Sequence, residues 1–159
     1  MSPPNDNVSQ AIITRRIGLA GLACLIVAFW MIIHPYRGLE HDSVLYAVLA
    51  LARLHPATFG HDLFVRYGTQ DHFTVFSPLF AAAIRTWGLE PAAAIMTFAK
   101  QVLFFGAAWL LARRLMSASL EVLVVGLLVV LPSWYGSHSV FAYIEAFLTP
   151  RQSGEAFVL

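Results

Sequence analysis

The chain has 159 residues, of which 58 % are hydrophobic and only 12 % are charged, and its net charge is +1. Soluble domains carry about 25 % charged residues, so this composition excludes an ordinary soluble domain and is typical of a membrane protein. The near-neutral balance provides no basic field for nucleic acid. The single cysteine, Cys24, excludes a disulfide framework or a thiolate metal site within one chain.

The N-terminal region combines a polar segment with the first predicted membrane span. Residues 1–14 are polar and are predicted to form a disordered cytoplasmic tail. A span of about residues 17–36 follows directly after Arg15 and Arg16, and its uncharged part is long enough to cross a bilayer. The apolar run is too long for a typical secretory signal and no small-residue cleavage site follows it, so we expect an uncleaved anchor.

Two further spans are predicted, at residues 91–112 and 117–135. The second span ends at Arg113 and Arg114, so two arginine pairs mark helix ends that face the cytoplasm by the positive-inside tendency. Residues 37–90 then form an external loop, and residues 15–159 form a single membrane domain. The predicted fold class is therefore all-α, a multi-pass helical membrane protein with about three spans and an N-terminus in the cytoplasm.

The external loop is predicted to contain two helices at the membrane surface. Residues 43–54 place apolar side chains at helical spacing, with Asp42 or Ser43 as the N-cap, and should lie along the bilayer. Residues 73–87 are apolar but about five residues shorter than a span of about 20. We expect this second piece to be interfacial or re-entrant.

Five of the nine acidic residues of the chain lie in the external loop, and Glu40 and Asp42 stand just before its first helix. Moving a sugar from a lipid phosphate to a hydroxyl requires a carboxylate that takes the acceptor proton or holds a divalent cation. It also requires cations that receive the charge of the departing phosphate. Arg37 and Arg66 in the loop, and Lys100 in the second span, are candidates for that role.

The stretch Glu40-His-Asp-Ser-Val-Leu-Tyr46, set between a first span and surface helices, resembles the N-terminal part of GT-C-type membrane glycosyltransferases and related bacterial multi-pass membrane proteins. Those enzymes use polyprenyl-phosphate sugars, and an acidic residue of their first external loop serves as base or metal ligand. The resemblance implies catalytic roles for Asp42 and Glu40, a substrate contact at Tyr46, a divalent cation as a cofactor candidate and a location in the bacterial inner membrane. Such enzymes have many more spans, so we expect this chain to be an N-terminal fragment that is inactive alone.

Simpler interpretations of the same residues stay open. Asp42 serves equally well as a helix cap without any catalytic role. His41, His61 and His72 each adjoin an acidic residue, which suits zinc or manganese, but their spacing matches no compact ligand motif. We therefore assign no metal site to the histidines.

Lys100 is the one ionisable residue within the second span, and a charge at such a position indicates either a functional site or a structural pair. Glu145 is a candidate partner for it. A different class of function is also compatible with the sequence, namely a small non-catalytic membrane subunit, a scaffold or one part of a transporter. Whether the chain is an enzyme is left open by the sequence.

Overall fold

A computed structural model describes residues 25, 27–67, 71–131, 134–135, 141–142 and 144–159. The chain divides into two compact units, residues 1–35 and 36–159. In the first unit, residues 27–33 are helical and form α1. The predicted cytoplasmic tail and residues 17–24 and 26 of the first predicted span lie outside the described residues.

The second unit begins with a series of short helices. The helix predicted over residues 43–54 is confirmed as α2, and its location at the membrane surface stays a prediction. Proline at the first position of α3 suits a helix start because that position needs no N–H donor. The carboxylate of Asp62 accepts hydrogen bonds from the backbone N–H groups of Phe64 (2.8 Å) and Val65 (3.2 Å) and so caps α4. These elements are α2 (Asp42–Leu54), α3 (Pro56–Phe59), α4 (Leu63–Tyr67) and a 3-10 turn (Asp71–Phe73).

The next two helices are α5 (Phe76–Trp87) and α6 (Leu89–Leu115). They are joined at Gly88, whose φ of +85° is a conformation that glycine adopts without strain. At 1.5 Å per residue, the 27 residues of α6 extend over about 40 Å, more than the hydrocarbon thickness of a bilayer. Within the described residues, α6 is the one helix that is long and apolar enough to cross a membrane.

The third predicted span is shorter than expected. Its helix, α7 (Ala118–Val130), has 13 residues and extends over about 20 Å, so the prediction of a helix to residue 135 is wrong. Residues Trp134–Tyr135 instead form β1, which pairs antiparallel with β2 (Phe141–Ala142). The chain then enters an irregular segment and a last helix, α8 (Arg151–Val158).

The core of this unit lies where α5 packs against both α2 and α6. Phe80 is completely buried there and stacks at a tilt on Phe76, with ring centroids 6.1 Å apart. Alanines from the three helices surround these rings and let the backbones approach closely. Helices α7 and α8 pack against the remaining surface of α6. Helix α6 is therefore the central helix of the unit.

Candidate functional site

The site begins at the first turn of α2. The N-cap is His41, with a φ of +48° that non-glycine residues seldom adopt. The turn is closed from within, because the hydroxyl of Ser43 and its backbone N–H both donate to the carbonyl of Glu40, at 2.5 and 3.0 Å. The prediction that Asp42 or Ser43 is the N-cap of this helix is therefore wrong, and no side chain caps it.

Because Asp42 does not cap the helix, its carboxylate projects from the start of α2 with 53 % of the side chain exposed. A guanidinium nitrogen of Arg151, the first residue of α8, lies 3.7 Å from this carboxylate. Arg151 also forms an ion pair with Glu145. A residue more than 100 positions away in the sequence thus places a positive charge beside the predicted catalytic carboxylate.

Tyr46 belongs to the same cluster. It follows Asp42 by four residues, which places both on one side of α2. Burial raises the pKa of the Tyr46 phenol, the charges of Asp42 and Glu145 raise it further, and Arg151 opposes them. The phenol is therefore neutral at physiological pH and lies within electrostatic range of two carboxylates and a guanidinium.

Glu145 is buried, with only 6 % of its side chain exposed. Both of its carboxylate oxygens are engaged, since one accepts from Arg151 and the other from the hydroxyl of Thr149. A buried charge is stable only when it is paired and its lone pairs are satisfied. Glu145 therefore anchors Arg151 from the interior, while Asp42 faces Arg151 from the surface.

The segment around Glu145 has no regular structure, and its backbone is held by distant groups. Its three successive carbonyls, of residues 145, 146 and 147, accept from Gln101 Nε2 (3.0 Å), from the backbone N–H of Arg37 (3.2 Å) and from Lys100 Nζ (2.6 Å). A buried carbonyl outside a helix or sheet needs such a donor. These contacts hold the segment against α6.

Lys100 is only 4 % exposed and is engaged by the backbone of Phe147. It also lies within electrostatic range of Glu145, the partner that the sequence suggested. These observations agree with the structural-pair interpretation of Lys100. Its role as a substrate-binding residue stays a prediction.

The other predicted site residues are dispersed. Glu40 has an exposed side chain and contributes its carbonyl to the α2 turn, while Arg37 contributes its backbone N–H to the carbonyl of residue 146. Arg66 lies in α4 with its guanidinium over the ring of Tyr67, 5.2 Å from the centroid. In the described part of the chain, no hydrogen bond or ion pair joins Arg66 to Asp42.

The histidines show no metal site where the structure describes them. The His41 ring packs on Phe147 with centroids 5.5 Å apart, and the side chain of His72 lies outside the described residues. No three histidine, cysteine or acidic side chains of the described residues are placed to hold a metal ion. The prediction that these histidines form no metal site stays a prediction.

Sequence reasoning missed Arg151, Thr149 and Gln101. A signal was present in the sequence, because Glu145 interrupts an apolar stretch, and a buried acid requires a partner of opposite charge. Arg151 is the next basic residue along the chain. What the sequence lacked was any indication that this pair would return to the start of α2.

Comparison of the chain with protein families, with curated proteins and with solved structures finds no match in any of the three.

Proposed function

We propose that this chain is part of a multi-pass membrane glycosyltransferase that transfers a sugar from a polyprenyl-phosphate donor at the external face, with Asp42 as the reacting carboxylate. One observation carries the proposal. Asp42 is exposed at the start of α2, makes no cap bond and stands 3.7 Å from the guanidinium of Arg151. A carboxylate that can accept a proton beside a group that can receive phosphate is the pair that this reaction needs.

The membrane setting is supported by the surface of α6 and α7. Large apolar side chains on both helices are exposed, as expected of helices that face lipid rather than water. The proposal also includes a first membrane span, of which α1 is a part, and a third membrane span that includes α7. The exposed side chains include Ile95, Phe98, Val102, Leu103, Leu110, Leu123 and Leu127.

In the proposed mechanism, the Asp42 carboxylate takes the proton of the acceptor hydroxyl as the new glycosidic bond forms. Arg151 and Arg37 stabilise the negative charge that develops on the departing polyprenyl phosphate. If a divalent cation takes part, the exposed carboxylates of Asp42 and Glu40 would hold it together with phosphate oxygens and water, because magnesium commonly binds through one or two carboxylates and a substrate phosphate. When bound, that cation would neutralise phosphate charge.

The decisive experiment measures sugar transfer in membranes that contain the complete product of the gene. Radiolabelled polyprenyl-phosphate sugars are supplied as a panel, and label in the extracted acceptor is counted. Asp42→Asn should lower the rate by about 100-fold or more, because asparagine cannot accept the proton. Asp62→Asn is the matched control, since it removes another exposed loop carboxylate and still caps α4 through its amide oxygen. Equal rates for Asp42→Asn and the unchanged protein would contradict the proposal.

The topology is tested with single cysteines in a Cys24→Ser background. A cysteine at the exposed Thr58 should react with a membrane-impermeant maleimide in intact cells, whereas one at the exposed Met116, after α6, should react only after lysis. This result would place the N-terminus in the cytoplasm. The reverse pattern would invert the proposed topology and move Asp42 to the cytoplasmic face.

A non-catalytic membrane subunit is the second candidate, and one observation favours it. Val44 and Leu45 on α2 are each 45 % exposed, so this helix presents apolar area to a partner or to lipid. A subunit predicts that Asp42→Asn has no effect, whereas changing Val44 and Leu45 to serine lowers the abundance of the partner. An enzyme instead predicts that Asp42→Asn lowers the rate of sugar transfer and that the serine changes at Val44 and Leu45 leave partner abundance unchanged.

A further inference from the structure

The charges around Arg151 form a chain from the interior to the surface. Buried Glu145 holds one guanidinium nitrogen, and exposed Asp42 faces another at 3.7 Å. A buried carboxylate that pairs with arginine through a hydrogen bond contributes more than an exposed pair, which is screened by water. Of these two partners, Glu145 therefore determines where the guanidinium lies.

Glu145 is itself fixed from three directions. Thr149 donates to one carboxylate oxygen, Arg151 to the other, and the Gln101 side chain donates to the Glu145 carbonyl at 3.0 Å. Gln101 is fully buried in α6, so it links this residue to the central helix of the unit. The position of the Glu145 carboxylate is therefore set by α6 and by the turn that precedes α8.

From these contacts we propose that Glu145 is a positioning residue for Asp42: it holds the Arg151 guanidinium beside the Asp42 carboxylate, so that the segment before α8 completes a site that α2 begins. This inference deepens the proposed function and rests on it for its relevance to sugar transfer. The geometry itself is testable without any activity. Removing the Glu145 charge should withdraw the contact that places the Arg151 guanidinium and so weaken its electric field at position 42.

The test uses a thiol as a probe of that field. In a Cys24→Ser background, Asp42→Cys places a thiol at the start of α2, and its alkylation by iodoacetamide at pH 7.5 reports the thiolate fraction. A neighbouring guanidinium lowers a thiol pKa from its ordinary value of about 8.5. If the guanidinium lowers the thiol pKa by about half a unit, losing the guanidinium slows alkylation about threefold. Thr58→Cys in the same background is the control for reagent access.

We expect Arg151→Gln and Glu145→Gln each to slow alkylation at position 42 about threefold, and the double variant to slow it no further. That non-additive result would show that both residues act through one guanidinium. Fully additive effects, an unchanged rate in Glu145→Gln or an unchanged rate in Arg151→Gln would each overturn the proposal. Neither change should affect the thiol at position 58.

Folding is monitored by elution volume and helical circular dichroism in detergent. If Glu145→Gln does not fold, Glu145→Asp supplies the comparison, because it keeps the charge but withdraws it by one methylene. An alkylation rate at position 42 between that of the protein with Glu145 and that of Arg151→Gln supports the positioning role. A rate equal to that of the protein with Glu145 overturns it.

The two proposals fail separately. If alkylation at position 42 slows as expected but Asp42→Asn has no effect on sugar transfer, the glycosyltransferase proposal is rejected and the positioning of Arg151 by Glu145 is kept. Loss of transfer in Asp42→Asn with no thiol response to Glu145→Gln does the reverse.

Discussion

The Lys100 ammonium donates a 2.6 Å hydrogen bond to the carbonyl of Phe147, 47 residues further along the chain. The one lysine of the protein is thus directed at backbone rather than at solvent. A charged donor to a buried carbonyl forms a stronger hydrogen bond than a neutral one. This contact joins the middle of α6 to the irregular segment that carries Glu145.

Replacing Lys100 by methionine should destabilise the protein. The long unbranched side chain is retained, but the Phe147 carbonyl loses its donor, which costs about 1–3 kcal/mol when the group stays buried. The free energy of unfolding is measured by denaturant titration in detergent. Arg114→Gln, an exposed change in the last turn of α6, is the control and should remain within about 0.5 kcal/mol. A Lys100→Met variant as stable as this control would refute the role of the contact.

Phe80 and Leu79 are neighbours in α5 with opposite environments, because Phe80 is fully buried and Leu79 is 61 % exposed. Phe80→Ala should cost about 3–5 kcal/mol by leaving a cavity between α2, α5 and α6. Leu79→Ala should cost about 0.5 kcal/mol or less, as for other surface changes. Both are measured by thermal and denaturant unfolding in the same detergent. Equal losses would mean that α5 does not pack by the face described.

Arg53 and Asp71 join α2 to the 3-10 turn, with Arg53 nitrogens 3.0 and 2.5 Å from one Asp71 oxygen. Because Arg53 is 41 % exposed, water screens the pair, and a coupling free energy of about 0.5–1 kcal/mol is expected. A double-mutant cycle with Arg53→Gln and Asp71→Asn measures it. The same cycle with Asp62→Asn in place of Asp71→Asn should be additive, and a coupling of similar size there would indicate a nonspecific effect.

The Tyr46 phenol should titrate above its ordinary pKa of about 10, because burial and the charges of Asp42 and Glu145 oppose ionisation. Asp42→Asn should lower this pKa, and Arg151→Gln should raise it further. Tyrosinate absorbance, as the difference between the protein and its Tyr46→Phe variant, reports the titration.

The linkage to stability follows from the raised pKa. The folded state holds the Tyr46 proton more tightly than the unfolded chain, so the stabilisation is complete below about pH 10. It is lost as the pH rises through the pKa of the folded state. A Tyr46→Phe variant should lack this alkaline loss. An identical decline in both proteins would show that another group is responsible.

Three helices of the second unit, α2, α5 and α6, were predictable because apolar periodicity and local stop signals determine them. The predicted helix 43–54 differs from α2 by one residue, and the predicted piece 73–87 ends with α5 at Trp87. Sequence expectation also located the core of α6 within 91–112. These elements depend on neighbours three or four residues apart, which a sequence displays directly.

The surroundings of Asp42 were not predictable in the same way. Its cap role was expected from residue type, but the Ser43 hydroxyl closes the turn onto the Glu40 carbonyl and leaves the carboxylate exposed. Arg151, the first residue of α8, reaches Asp42 across more than 100 residues of sequence. Long-range ion pairs of this kind depend on how helices pack, and the composition and residue spacing of a sequence do not indicate that packing.

The donors that hold carbonyls 145–147 all precede them in the chain, at residues 37, 100 and 101. Since a polypeptide is synthesised from its N-terminus, a nascent chain that has grown only through α7 contains the donors and lacks their acceptors. During that interval the ammonium of the long apolar helix has no carbonyl of this segment to receive it. Elongation past Phe147 therefore supplies the carbonyl that the Lys100 ammonium binds, so this charge of α6 gains its hydrogen-bond acceptor only after the helix itself has been synthesised.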